Sequence, residues 1–418
     1  INLMTNKVKK YLLFFVTIFI FLLAYNFLVN KYEKLGHWLD DNIWYRFDAA
    51  KRIIIYEKSF VDRFYNSYNQ KYLPQTLFLD LDYKTRKLNF LKRNRYSNMH
   101  SFFIEIIEGK QILITDEYGD FNLINDVFNK NEIKSKDVKF IESNLIIHMT
   151  LDTFLFEDKI FISYVDLNDT CMSFKIAYAK FNTKYLNFKN FYNNESCKKH
   201  IQGGRMQSYK FENKEGLIFS LSSHIRNKHT DEPQDENSFF GKILFQDFNS
   251  SEPIIFSKGH RVNQGLVVVD NLILATEHGP KGGDEINKIE FSENYGWPIS
   301  SYGVKYGKNK KRPYYKISHS KLGFKEPLYS YITALGISEI IKLPNSFSDF
   351  WQDNFIITSL NRGSIYRTKF DKDFKSLLFN EEIFIGRRIR DIKYMGKEKK
   401  IILALENRGE LGILSTND

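Results

Sequence analysis

Two short segments hold residue types that could do chemistry. The first, residues 276–287, reads TEHGPKGGDEIN. Gly279-Pro280 offers two main-chain carbonyls in a tight turn just after a strand-like run, and hard cations such as calcium prefer oxygen donors of this kind. Gly282 and Gly283 let the backbone bend sharply, while Asp284 and Glu285 add carboxylates. A glycine-rich turn with solvated acids is the plainer alternative, and spacing alone leaves both open. The second segment is Arg388-x-Arg390. In a strand, alternate residues share a face, so the two guanidiniums would repel unless an anion sat between them. Arginine meets carboxylates with planar, bidentate contacts. A pairing with Asp391 or a neighbouring acid would also satisfy them.

These segments must be held by a β framework. From Leu73 onward the apolar period is two. Met172, Phe174, Ile176 and Tyr178 alternate with Ser173, Lys175, Ala177 and Ala179, the pattern of a half-buried strand. Similar runs recur (SFFIEIIE, QILITD, GLIFSLS, GKILFQD, NLILATE, IILALE), separated by turn residues, with no long helical pattern between them. High aromatic content, 38 Phe and 25 Tyr, favours strands over helices. The expected architecture for residues 73–418 is an all-β, six-bladed β-propeller, with blades averaging about 58 residues.

The N-terminal part reads differently. Residues 11–29 carry no charge and include only Thr17 and Asn26 as clearly polar positions. At about 1.5 Å per residue they just span a hydrocarbon core of about 30 Å. Lys7, Lys9 and Lys10 precede them, which keeps the tip in the cytoplasm. The expectation is an uncleaved, single-pass membrane anchor over residues 1–30, with the C-terminal domain on the periplasmic side. Leu35, Trp38, Leu39, Ile43, Trp44, Phe47 and Ile54 then fall at helical spacing, so residues 31–72 are expected to form an amphipathic helical stalk. Cys171 and Cys197, the only cysteines, would lie where a disulfide is permitted. The formal net charge is +11. The basic run Lys305 to Lys325, with Tyr302, Tyr306, Tyr314 and Tyr315 interleaved, is expected to be a loop over the propeller mouth that touches an anionic glycan or lipid head groups rather than nucleic acid. His224 and His229, with Asp231, Glu232, Asp235 and Glu236, are expected to form a solvated loop rather than a metal cluster. There is no phosphate loop, nucleophile elbow or HExxH.

The blocks GHRVNQGL (259–266), TEHGPKGGDEIN (276–287) and NYGWP (294–298), with GKIL before them and SLNRGSIYR and RRIRDI after, resemble the glucose/sorbosone dehydrogenase family. The likeness covers residues 196–418 well and 73–195 only in strand pattern. It implies a six-bladed propeller that binds pyrroloquinoline quinone and calcium and oxidises aldose sugars. It further implies that the Gly279 and Pro280 carbonyls hold the calcium. Arg261, Arg388 and Arg390 would meet the quinone, a tricarboxylate. Asn361 stands where the family has a quinone-facing lysine, and Arg362 follows it directly. In such enzymes a base takes the proton of the anomeric hydroxyl while hydride passes to the quinone. The candidate base is His200.

Several positions depart from the family pattern. His200 sits one residue too far upstream of Arg205, and a one-residue slip turns a strand side chain to the opposite face unless a bulge restores it. Val262 replaces an asparagine, and Ser222-Ser223 replaces a Gly-Asp pair. The sequence therefore supports a membrane-anchored sugar dehydrogenase that passes electrons to a periplasmic or membrane acceptor. Two alternatives remain: a catalytically inactive propeller that binds glycans or proteins, and a calcium-dependent lactonase-like hydrolase.

Overall fold

A computed structural model of the chain describes residues 81–94, 99–168, 171–198, 200–222, 231–303 and 318–416. The expected anchor and stalk lie outside these residues, as do His224 and His229. Among the described residues no helix is long and apolar enough to cross a membrane.

Six sheets form, each built mainly from one stretch of chain. Blade 1 begins with Phe102–Ile106, Ile112–Asp116 and Phe121–Ile124, and blade 2 runs from Met149–Phe156 to Lys189–Lys198. Blade 3 starts at Gly203–Phe211, blade 4 at Asn263–Val269 and blade 5 at Ile337–Lys342. Blade 6 comprises Ile389–Met395, Lys400–Leu405 and Glu410–Thr416, and the N-terminal strand Leu81–Leu88 completes it. That strand runs antiparallel to the C-terminal one, from Leu81 opposite Thr416 to Lys87 opposite Glu410. The first strands of the six blades touch in order, and the last touches the first. The ring is therefore closed, which fixes the blade number.

Each gap between neighbouring blades holds one apolar cluster. Packing on both sides explains why Ile112–Asp116 and Phe355–Ser359 are buried along their whole length. It also refines the reading of Cys171–Lys180. Phe174 and Ile176 face the blade 3 side, but Ala177 and Ala179 are buried too, against blade 1 residues such as Leu113 and Phe121. This strand packs on both faces, with its small residues on the blade 1 side. Cys171 is disulfide-bonded.

The first strands of blades 2 to 6 each carry a bulge within a few residues of their start. A bulge re-aims a side chain. In blade 3, Gly203 and Gly204 both have positive φ, 88° and 86°, and a Cβ on Gly204 would lie 2.8 Å from Leu151 Cβ. Glycine alone suits such a turn, and it aims Arg205 at the axis. There Arg205 is buried and meets every blade. Its Nη1 lies 3.0 Å from Asp152 Oδ1 and 2.8 Å from Glu339 Oε2, its Nε donates to Gln264 O, and its Nη2 donates to Arg390 O. The guanidinium also covers the Phe103 ring at 5.2 Å.

Candidate functional site

At one end of the ring, the starts of the first strands and the ends of the second strands surround a cavity of about 460 Å³. Its wall includes Glu117, Gln202, Arg261, Gln264, His278, Gly279, Pro280, Asn361, Arg388 and Arg390. Three guanidiniums therefore reach one space from blades 4 and 6.

Arg261 is buried and donates through Nη1 to the His278 and Gly279 carbonyls, 2.9 Å each. Its guanidinium lies 5.3 Å from the Trp297 ring centre. Arg388 and Arg390 share a counter-ion. It is Glu406 rather than Asp391, with Nε distances of 3.3 and 2.5 Å. Burial acts to raise the Glu406 pKa, yet Arg390 and Arg388 hold it below the usual value. Asp391 instead accepts from the Ile104 and Ile392 amides. Arg390 also donates to Gln264 Oε1 at 3.1 Å. Two arginines thus share one buried carboxylate, with Arg261 on the same wall, and Glu117 and Asp284 add acidic side chains to the lining. That arrangement fits a polycarboxylate ligand.

The Gly279-Pro280 turn is built tightly: a Cβ on Gly279 would lie 2.1 Å from Gly282 O. Asp284 braces this turn, accepting from the amides of Gly279, Leu335 and Ile337. It thus serves as a buried strut rather than a free cation ligand. Glu285 lies behind the turn, its pKa raised first by burial and then by Glu277. Among the described residues no cluster of three His, Cys, Asp or Glu could hold a metal. A cation in the cavity would therefore rely on main-chain oxygens, and the Gly279 carbonyl, already accepting one hydrogen bond from Arg261, keeps a second lone pair.

Not all expected site residues come together. Asn361 lines the cavity, but Arg362 is exposed and does not. His200 is exposed and does not line the cavity either. The bulge in its blade lies between Gly203 and Met206, downstream of His200, and brings Gln202 and Gly203 to the wall instead. Val262 is buried in the core. Glu117, Gln264 and Glu406 escaped the sequence reading. Glu117, His278, Asn361 and Glu406 each lie just past the second strand of a blade, and that shared position was the available signal.

The model of the glucose/sorbosone dehydrogenase family matches residues 99–413. The chain belongs to this family. Members similar to it include the aldose sugar dehydrogenase YliI of Escherichia coli, 29% identical over 168 residues, 38% of this chain and 42% of that protein. Quinoprotein glucose dehydrogenase B of Acinetobacter calcoaceticus is 36% identical over 77 residues, 16% of either chain. The matched segments thus span less than half the length of the curated relatives. Among solved structures, the apo form of the soluble E. coli aldose sugar dehydrogenase superposes with a TM-score of 0.63 at 19% identity, covering 81% of this chain and 100% of that one. The PQQ-bound aldose sugar dehydrogenase of Streptomyces coelicolor gives 0.56 at 16%, covering 81% and 99%. These likenesses show the shared six-bladed fold.

Proposed function

We propose that this family member is a quinoprotein sugar dehydrogenase, oxidising an aldose at its anomeric carbon with pyrroloquinoline quinone and calcium. The observation that carries this reading is the convergence of Arg261, Arg388 and Arg390 on a cavity that also holds the Gly279-Pro280 turn. When bound, the quinone supplies a two-electron acceptor for hydride. Arg388 and Arg390 would hold its carboxylates, their positions fixed by Glu406 and Gln264. Arg261, anchored on the His278 and Gly279 carbonyls, would stabilise charge that grows on oxygen during reduction. Calcium would sit against the carbonyl oxygens of Gly279 and Pro280. The N-terminal apolar segment would anchor the protein facing outward, in reach of a periplasmic or membrane electron acceptor.

The test adds calcium and the quinone to the full chain. Micromolar quinone binding, followed by an absorbance change and dye reduction on adding aldoses, is expected. A folded protein that takes up no quinone would overturn the reading. One observation favours a second reading, a catalytically silent binding propeller: His200 stands outside the cavity. It predicts quinone or glycan binding without dye reduction.

A further inference from the structure

With His200 outside, the cavity wall must supply another proton acceptor if a hydroxyl is to be oxidised there. The described lining residues offer few. Gln202, Gln264 and Asn361 are amides. The arginines are permanently charged. His278 is held by its Nε2, which donates to the Ile337 carbonyl. Asp284 is committed to three backbone amides. Glu117 remains. It follows strand Ile112–Asp116 of blade 1, is 5% exposed, and lines the cavity. Its main-chain carbonyl accepts from Thr150 N at 2.8 Å, which fixes the loop. Among described residues, one side chain donates to its carboxylate: Asn94 Nδ2, at 2.5 Å from Oε2. Among the described residues, no cation or backbone amide bonds to Oε1.

We propose that Glu117 accepts the proton of the substrate hydroxyl, in the role the sequence offers to His200. This rests on the oxidation proposed above. In the step, the substrate O–H bond breaks and its proton passes to a Glu117 oxygen. The hydrogen of the neighbouring C–H bond would leave with the bond's electron pair as hydride to the quinone while the C–O bond becomes a carbonyl, so the sugar would lose two electrons and the quinone gain them. The charged surroundings suit a base. Burial raises the Glu117 pKa, Asn94 and Arg390 lower it, and Glu406 and Asp116 raise it again, leaving it above the ordinary glutamate value. A carboxylate poised nearer neutrality is a better acceptor than a solvated one.

The experiment compares the full-length protein with Glu117→Gln, Glu117→Asp and His200→Ala, using calcium, pyrroloquinoline quinone and glucose. Calorimetry is expected to show quinone affinity in E117Q within about tenfold of wild type. Single-turnover quinone reduction by E117Q should fall by about 100-fold or more at pH 7, while H200A keeps the wild-type rate. Independently of turnover, infrared titration of the quinone-free protein should show a carboxyl that releases its proton above the usual glutamate range, and E117Q should lack it. In E117D the acid limb of the rate profile should move, a shift that a merely structural side chain would not cause. Undiminished reduction in E117Q, or an E117D limb that overlays the wild-type one, overturns the proposal. Loss of activity in H200A with E117Q unaffected does the same. Failure of the wild type to bind quinone brings down the function proposed above, and Glu117's role with it.

Discussion

The two walls of the cavity differ in kind. Blades 4 to 6 supply Arg261, Gly279, Pro280, Arg388 and Arg390, and the three arginines are held by a buried carboxylate or by main-chain carbonyls. Blades 1 to 3 supply Glu117, Met149, Leu151, Gln202 and Gly203, largely without charge partners. The first wall keeps most of the motif residues, Asn361 being an exception, and the second departs from them at His200. On the proposed function, the difference teaches that the part of a site that clasps a cofactor can persist while the part that faces the reacting group is rebuilt. Binding a polycarboxylate needs several fixed donors at once, whereas a single proton acceptor can be relocated to any loop that reaches the same space.

The largest expected effect lies on the floor that both walls share. Arg205→Ala should cost about 3–5 kcal/mol of stability, because it strands Asp152 and Glu339 as buried acids; denaturant unfolding measures it. A loss below about 1 kcal/mol would mean the walls do not depend on this common post. The seam where blade 1 meets blade 6 comes next. There burial pushes Glu105 up to about 7 against the pull of Lys393, whose Nζ lies 2.8 Å from Oε1. The folded carboxyl keeps its proton to higher pH than the unfolded one, whose pKa is about 4.3. Stability should therefore fall as pH rises from about 4.5 to about 7, by on the order of 3 kcal/mol at most. Glu105→Gln should flatten that slope in unfolding curves recorded across pH.

The wall proposed to hold the cofactor is tested directly by Arg388→Ala and Arg390→Ala. Each should weaken quinone binding by about 1–3 kcal/mol in a calorimetric titration, and an unchanged affinity would misplace the cofactor. The smallest effect is expected at His200, an exposed residue. His200→Ala should change stability by no more than about 0.5 kcal/mol, the usual range for surface positions. It should also leave quinone affinity alone, which sharpens the contrast between a residue that matches the motif by type and one that reaches the cavity.

Much of this was legible in the residues themselves. The alternation in 172–178 and its repeats announced blades, and the RxR spacing put Arg388 and Arg390 on one side. What could not be read was set by backbone detail and by distant partners. Glu406 becomes the counter-ion of both arginines only because it lies just past the strand that pairs with theirs, across a bulge at Arg390. Glu117 reaches the cavity only because Phe102–Ile106 lies innermost in its sheet. His200 fails by geometry that begins three residues later, at paired glycines with positive φ.

The strand Leu81–Leu88 belongs to the last blade but connects directly to the first, so its attachment to blade 6 is by pairing rather than by a hairpin. A protein trimmed of these eight residues would keep five complete sheets and present Glu410–Thr416 as a long, unpaired border. Bare borders recruit matching strands from other molecules. Shortened versions of this chain are therefore expected to associate with one another, and a suitable peptide copied from residues 81–88 should suppress that clumping.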